Sequence, residues 1–196
     1  MIKLIIFDIG DVLIDFKDEQ YVDYITDKLC LNKAEFSAAL KPLRDDMERG
    51  ACTLREAEAA LTKKFKVSRN SLEWVTTYRK IARRDNYVFR LLTRLSKRYK
   101  IALLSNVGRA RYIESLRLLK DVPADAVFAS CYLKMRKPEH KIYRYVLEKM
   151  EVKPNEAVFI DNMKENVVAA EEVGIKSIQF IDYWRLVMDL RRLKIL

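Results

Sequence analysis

The sequence predicts an α/β protein: a doubly wound parallel sheet with one inserted set of helices. Three observations carry that expectation. Leu4, Ile5, Ile6 and Phe7 are apolar in succession, as suits a strand buried on both faces of a parallel sheet better than one with a wet side. From about Asn86 onward, helical and strand patterns alternate, which implies right-handed crossovers with helices on both faces of one sheet. Between them, about Asp18 to Asp85 reads as helical throughout. The expected organisation is therefore an α/β core of residues 1–16 and 86–196, with a helical insertion of residues 17–85 after the first strand.

In chain order, Val12 to Phe16 is read as a short flap beyond the first strand. Tyr21, Tyr24, Ile25 and Leu29 then share one helix face. Asn32 with Glu35, Thr53 with Glu56 and Asn70 with Glu73 each place Glu three residues after a helix-start residue, the capping-box pattern. Phe36, Leu40, Leu43 and Met47 keep helical spacing, although Pro42 is expected to divide that stretch in two. Beyond Asn86, the expected strands are Ile101–Leu104, Val127–Ala129, Val158–Ile160 and Ile178–Ile181. Helices near Leu91, Ile113, Ile142–Met150 and Val167–Val173 alternate with them, and Tyr183–Leu193 is expected to close the chain as an amphipathic helix.

The chemistry is expected where strands end. Asp8 terminates the first apolar run, at the edge where open α/β sheets place their sites, and Gly10 allows a sharp turn there. Ser105 and Asn106 follow the strand IALL and precede Gly108, offering a hydroxyl and backbone N–H groups to a phosphate oxygen. Lys137 precedes Pro138, which favours an extended backbone and fixes an ammonium able to neutralise a phosphoryl oxygen and a carboxylate. Asp161 ends the strand VFI at the same sheet edge as Asp8. Two such carboxylates, with a phosphate oxygen and waters, would complete the octahedral oxygen shell that magnesium prefers. Taken singly, each feature has a plainer reading: an Asp-Gly turn, ordinary helix capping, a solvated lysine.

Taken together and in order, FDIGDVLID, LLSN at 103–106, RKP at 136–138 and VFIDNMKENVVAAEEVG at 158–174 resemble the motifs of the haloacid dehalogenase superfamily, most of whose members are magnesium-dependent phosphatases. The resemblance covers nearly the whole chain. It implies a Rossmann-like core with a small substrate-selecting helical cap. It also implies that Asp8 is a nucleophile forming an aspartyl-phosphate, that Ser105 hydrogen-bonds the transferring phosphoryl group, and that the Gly10 carbonyl joins Asp8 and Asp161 around Mg2+. Asn162 stands where many relatives have a second Asp, Glu165 is an outer-shell substitute, and Asn166 orders the loop. The departure is at Gly10, where family phosphatases usually carry the Asp that protonates the leaving oxygen. Asp11, Asp15, Asp45, Asp46 and Glu48 are the candidates to replace it, with the Asp11 carboxylate expected to point away in an extended chain. The rivals are a 2-haloacid dehalogenase, which uses the same nucleophile without a metal, and a catalytically weakened binding or regulatory protein.

Composition is consistent with this reading. Lys and Arg number 38 against 28 Asp and Glu, a formal charge of +10, which favours a small anionic substrate such as a phosphate ester. The basic residues are scattered among acidic ones, with no tract of interleaved aromatics, so nucleic acid is not the expected partner. Cys30, Cys52 and Cys131 are odd in number and lack CxxC spacing, which argues for reduced thiols. No run approaches 18 apolar residues, and Asp8 stands where a signal peptide would be apolar. A cytoplasmic protein without a membrane partner is the expectation. The single histidine, His140, and Arg136 are read as surface groups.

Overall fold

A computed structural model of the chain describes residues 1–196. The first strand, β1 (Leu4–Phe7), is the central strand of a five-stranded sheet. It is flanked by β4 (Lys100–Ser105) and β6 (Ala157–Asp161), with β5 (Ala126–Ala129) and β7 (Lys176–Gln179) at the edges. All four pairings are parallel. The apolar run behaves as expected: Ile5 and Phe7 enter one core cluster and Leu4 and Ile6 the other, on opposite faces of the sheet. Helices α5 (Asn86–Leu95), α6 (Arg109–Leu118), α8 (His140–Met150), α9 (Lys164–Glu172) and α10 (Tyr183–Arg192) supply the crossovers and the covering layers. A short helical turn, α7 (Ser130–Leu133), follows β5 without a periodic signal in the sequence. No helix is long and apolar enough to cross a membrane.

Between β1 and α5 lie α1 (Asp18–Leu29), α2 (Lys33–Glu48), α3 (Leu54–Phe65) and α4 (Trp74–Ile81). The chain enters and leaves this region through a two-stranded antiparallel ribbon, β2 (Ile14–Asp15) with β3 (Arg83–Arg84), so the stretch 18–85 is not helical to its end. Tyr21, Ile25, Phe36, Leu40, Leu61 and Tyr78 from these helices share one continuous apolar cluster with Phe7, Leu103 and Ile160 of the sheet. The inserted helices thus rest on the same core that holds the strand ends.

Two local expectations are corrected. Helix α2 runs unbroken through Pro42, which is exposed; the ring forfeits the bond to the Ala38 carbonyl, but solvent reaches that side of the helix and packing by Phe36, Leu40 and Met47 holds both halves. The Asn70/Glu73 pair forms no capping box: Arg69–Ser71 is a 3-10 turn, and Glu73 adopts a left-handed conformation before α4, with φ 44°. Its carboxylate is taken instead by Lys28 and Tyr24 of α1. Thr53 and Glu56 do form the reciprocal box, and Asn32 caps α2 through the Glu35 N–H.

Candidate active site

Strands β1, β4 and β6 end side by side, bringing Asp8, Ser105 and Asp161 to one edge of the sheet, all buried. Lys137 reaches them from the segment between β5 and α8, just before a cis peptide to Pro138. Its side chain is only 1% exposed. The ammonium lies 2.8 Å from Asp8 Oδ1 and 2.5 Å from Asp161 Oδ2, and donates to the Leu104 carbonyl at 3.1 Å. An ammonium has three protons, and all three have protein acceptors here. Burial works to lower the Lys137 pKa, but the carboxylates of Asp161 and Asp8 override it and hold the group above its ordinary value. Burial pushes the Asp8 carboxyl up to about 7; Lys137 opposes that shift and the Asp161 charge adds to it.

The surrounding side chains fix this arrangement. The Asn166 amide donates to both oxygens of Asp161, at 3.0 and 3.1 Å, and the Met163 N–H donates to Oδ1 at 2.8 Å. Asn166 therefore orders the carboxylate directly, and its own main-chain carbonyl is held by the Tyr143 hydroxyl at 2.9 Å. Asp8 Oδ1 also accepts the Ile9 N–H at 2.7 Å, while Oδ2 is left without a protein partner. The Asn106 amide brackets the Lys137 main chain, accepting its N–H and donating to its carbonyl, each at 2.8 Å. The side chain of Asn106 is thereby committed to placing Lys137, a role separate from that of the main-chain N–H groups offered to phosphate. Likewise, the three filled donors of Lys137 make it a group that neutralises and orients the carboxylates, not one with a proton to spare for phosphate. Ser105 keeps that capacity, since its hydroxyl makes no hydrogen bond within the protein.

These residues open into a cavity of about 340 Å³ whose wall also includes Gly10, Asn162, Glu165 and the flap residues Ile14 and Phe16. The turn after β1 differs from expectation in which residue bends. Asp11, not Gly10, takes the left-handed conformation, at φ 54°, so the chain is not extended there and Asp11 lines the cavity instead of pointing away. Of the other acids considered, Glu48 lines it too, whereas Asp15 and Asp46 are exposed elsewhere and Asp45 pairs with Arg136 at 2.8 Å. Burial raises the carboxyl pKa of both Asp11 and Glu48. Arg136 is not the surface residue the sequence suggested: it lines the cavity and spans Asp45 and Glu48 of α2, the latter at 2.9 Å. His140 is a surface group as expected, paired with Glu172 at 2.7 Å.

The cavity's charge runs against that of the whole chain. Asp8, Asp11, Asp18, Glu19, Glu48 and Glu165 line it against Arg44, Arg111, Arg136 and Lys137, a formally negative wall in a protein of +10. Only two carboxylates converge on Lys137, and no cluster of three His, Cys, Asp or Glu side chains forms anywhere in the chain.

Residues 2–174 match the family model described as haloacid dehalogenase-like hydrolase. Among curated proteins, a sesquiterpene phosphatase of Aspergillus oryzae is 38% identical over 69 residues, 35% of this chain and 35% of that protein. A phosphorylated carbohydrates phosphatase of Thermotoga maritima is 34% identical over 84 residues, 42% of this chain and 39% of that protein. These alignments span a little over a third of the relatives' length. A HAD family enzyme of Bacteroides thetaiotaomicron, solved in complex with magnesium and inorganic phosphate, superposes with a TM-score of 0.81 at 23% identity, covering 95% of this chain and 99% of that one. An L-2-haloacid dehalogenase superposes with a TM-score of 0.68 at 18% identity, over 92% of this chain and 85% of that one. At such identities both structures speak for the fold alone.

Proposed function

The chain belongs to the haloacid dehalogenase-like hydrolases, and from that premise we propose that it is a magnesium-dependent phosphatase acting on small phosphate monoesters through an aspartyl-phosphate. The observation that carries this reading is the convergence of Asp8, Asp161, Ser105 and Lys137 at one sheet edge, with one Asp8 oxygen free to attack. In the proposed sequence Asp8 Oδ2 bonds to phosphorus as the ester P–O bond breaks, and the leaving oxygen departs as an anion that takes its proton from solvent. Water then cleaves the acyl phosphate, releasing inorganic phosphate and restoring Asp8. Ser105 donates to a phosphoryl oxygen, while Lys137 keeps Asp8 aimed and favours its ionised form against burial. The helices of residues 17–85 act as the cap that frames the leaving group.

The residues fit the metal. Two carboxylates sharing one ammonium leave an uncompensated negative charge, which is part of why burial drives Asp8 so high. A phosphate dianion entering the net-negative cavity would need a further cation. Asp8, Asp161 and the main-chain carbonyl of Gly10 are the hard oxygen donors that would hold magnesium. Bound there, it would offset the charge of the transferring group. A metal-independent dehalogenase would instead have to admit a carboxylate substrate to the same negative cavity with no added cation.

A panel of phosphorylated metabolites and 2-haloacids, assayed with and without magnesium, tests the proposal; halide release without metal, in place of phosphate release with it, would overturn it. Asp161→Asn is expected to raise the magnesium concentration for half-maximal turnover by about tenfold or more, and an unchanged metal titration would place the metal elsewhere.

Gly10 sets a further expectation. A Cβ built at Gly10 meets nothing within 4 Å, so the position of the missing acid is open space. Leaving groups that depart as stable anions need no proton, whereas alkoxides do. Aryl phosphates should therefore turn over at least about a hundredfold faster than alkyl phosphates, and Gly10→Asp should raise the alkyl rate more than the aryl rate. Equal rates in the natural protein would mean that Asp11 or Glu48 already supplies the proton, and Asp11→Asn and Glu48→Gln would then separate the two.

A further inference from the structure

Beside the catalytic cavity lies a second one of about 370 Å³, enclosed by α2, the Gly50–Thr53 loop, the starts of α3 and α4, and the first turns of α6. Its character is different: Met47, Leu54, Trp74, Ala110 and Ile113 line it, together with the Cys52 and Cys131 side chains. Arg44, Glu48 and Arg111 belong to the walls of both cavities, so the two share one partition. Asp18 ties that partition down, accepting from Arg44 at 2.6 Å and pairing with Arg111 at 3.0 Å, and the Arg111 guanidinium lies over the Phe16 ring at 4.5 Å. The partition is a fixed rim with an apolar room behind it. Its size, and an exposed inner surface more apolar than polar although Arg44, Glu48, Arg55, Arg109 and Arg111 border it, are those of a small-molecule site.

We propose that this second cavity receives the leaving group of the substrate, and that the group is an extended apolar chain. The inference rests on the phosphatase reading only for which atom sits at Asp8; the cavity's preference for an apolar chain is independent of it. A polyhydroxylated leaving group would find partners only at the charged margin of Arg44, Glu48, Arg55, Arg109 and Arg111 and at Thr53, and its hydroxyls facing Met47, Leu54, Trp74, Ala110 and Ile113 would go unpaired, at the cost of unmade hydrogen bonds. An apolar chain would lie against Trp74, Leu54 and Ile113, with the phosphoryl end beyond the Arg44 and Arg111 rim.

The chain carries two tryptophans, and Trp184 is 73% exposed on α10, so the Trp184→Phe variant makes Trp74 fluorescence a reporter of the cavity. Non-hydrolysable ethyl and decyl phosphonates would be titrated into that full-length variant with magnesium present. Decyl phosphonate is expected to bind at least about a hundredfold tighter than ethyl phosphonate and to change Trp74 emission. Ile113→Glu, at a half-exposed position on α6 that should fold normally, is expected to remove most of that difference while leaving ethyl phosphonate affinity unchanged. Equal affinities, or a chain-length preference that survives Ile113→Glu with Trp74 silent, would overturn the proposal. Because binding is read without turnover, failure of the phosphatase reading would appear separately, as tight decyl phosphonate binding in a protein that hydrolyses no ester.

Discussion

Asp8→Asn is expected to lower phosphate-ester turnover by about 10⁴-fold or more, the order reached when a nucleophile is lost and only binding remains, while the fold holds or gains stability. The asparagine keeps the volume and one oxygen, so the Ile9 N–H and the Lys137 ammonium both retain an acceptor. It also removes one of two buried negative charges that share a single cation. The sign with pH follows. Asp8 titrates near 3.8 when unfolded and at about 7 when folded, so between these values the folded state binds the extra proton, and stability falls as pH rises. In magnesium-free buffer, wild-type melting temperature should therefore drop across that window, and Asp8→Asn should flatten the drop. Retained turnover in the variant would refute the nucleophile, and an unchanged pH profile would refute the buried charge imbalance.

Much of this site was legible because its residues punctuate apolar runs. Asp8, Ser105 and Asp161 each end a strand that the sequence marks by continuous hydrophobicity, and a parallel sheet brings such ends to one edge. What the side chains do there was less legible, because it depends on partners far away in sequence. Asn106 and Arg136 show the limit. The side chain of an asparagine after a strand has no legible partner until Lys137, 31 residues on, takes both ends of its amide. An arginine in a charged run reads as solvated until α2 presents Asp45 and Glu48 to it. Pro42 and Asp11 fail for a different reason: local preference yields to tertiary packing, which carries a helix through a proline and holds an aspartate in a left-handed turn. Net charge misled by averaging, since +10 over the chain coexists with a negative cavity. The second, apolar cavity left no sequence signal, because its lining comes from five separated segments whose apolar residues read simply as core.

The severest structural consequence is expected at Lys137. Lys137→Ala leaves Asp8 and Asp161 buried without their shared cation, and breaking a buried pair from one side costs about 3–5 kcal/mol. For a chain of this size that corresponds to a melting temperature lower by roughly 10 °C. Turnover should fall at least about a hundredfold, as when one preorganised charge near the reacting group is lost. Lys137→Arg should not rescue it: the three acceptors surround a point at 2.5 to 3.1 Å in a site 1% exposed, and a planar guanidinium cannot replace a compact ammonium there. A double variant separates the structural role from the chemical one. Lys137→Ala with Asp8→Asn restores the wild-type formal charge of the buried group, so much of the lost stability should return although activity does not. That recovery is a coupling between contacting residues and should exceed the additivity expected of independent sites. Strictly additive melting shifts would mean that Lys137 does not hold the two carboxylates together, and wild-type kinetics in Lys137→Ala would remove it from the active site.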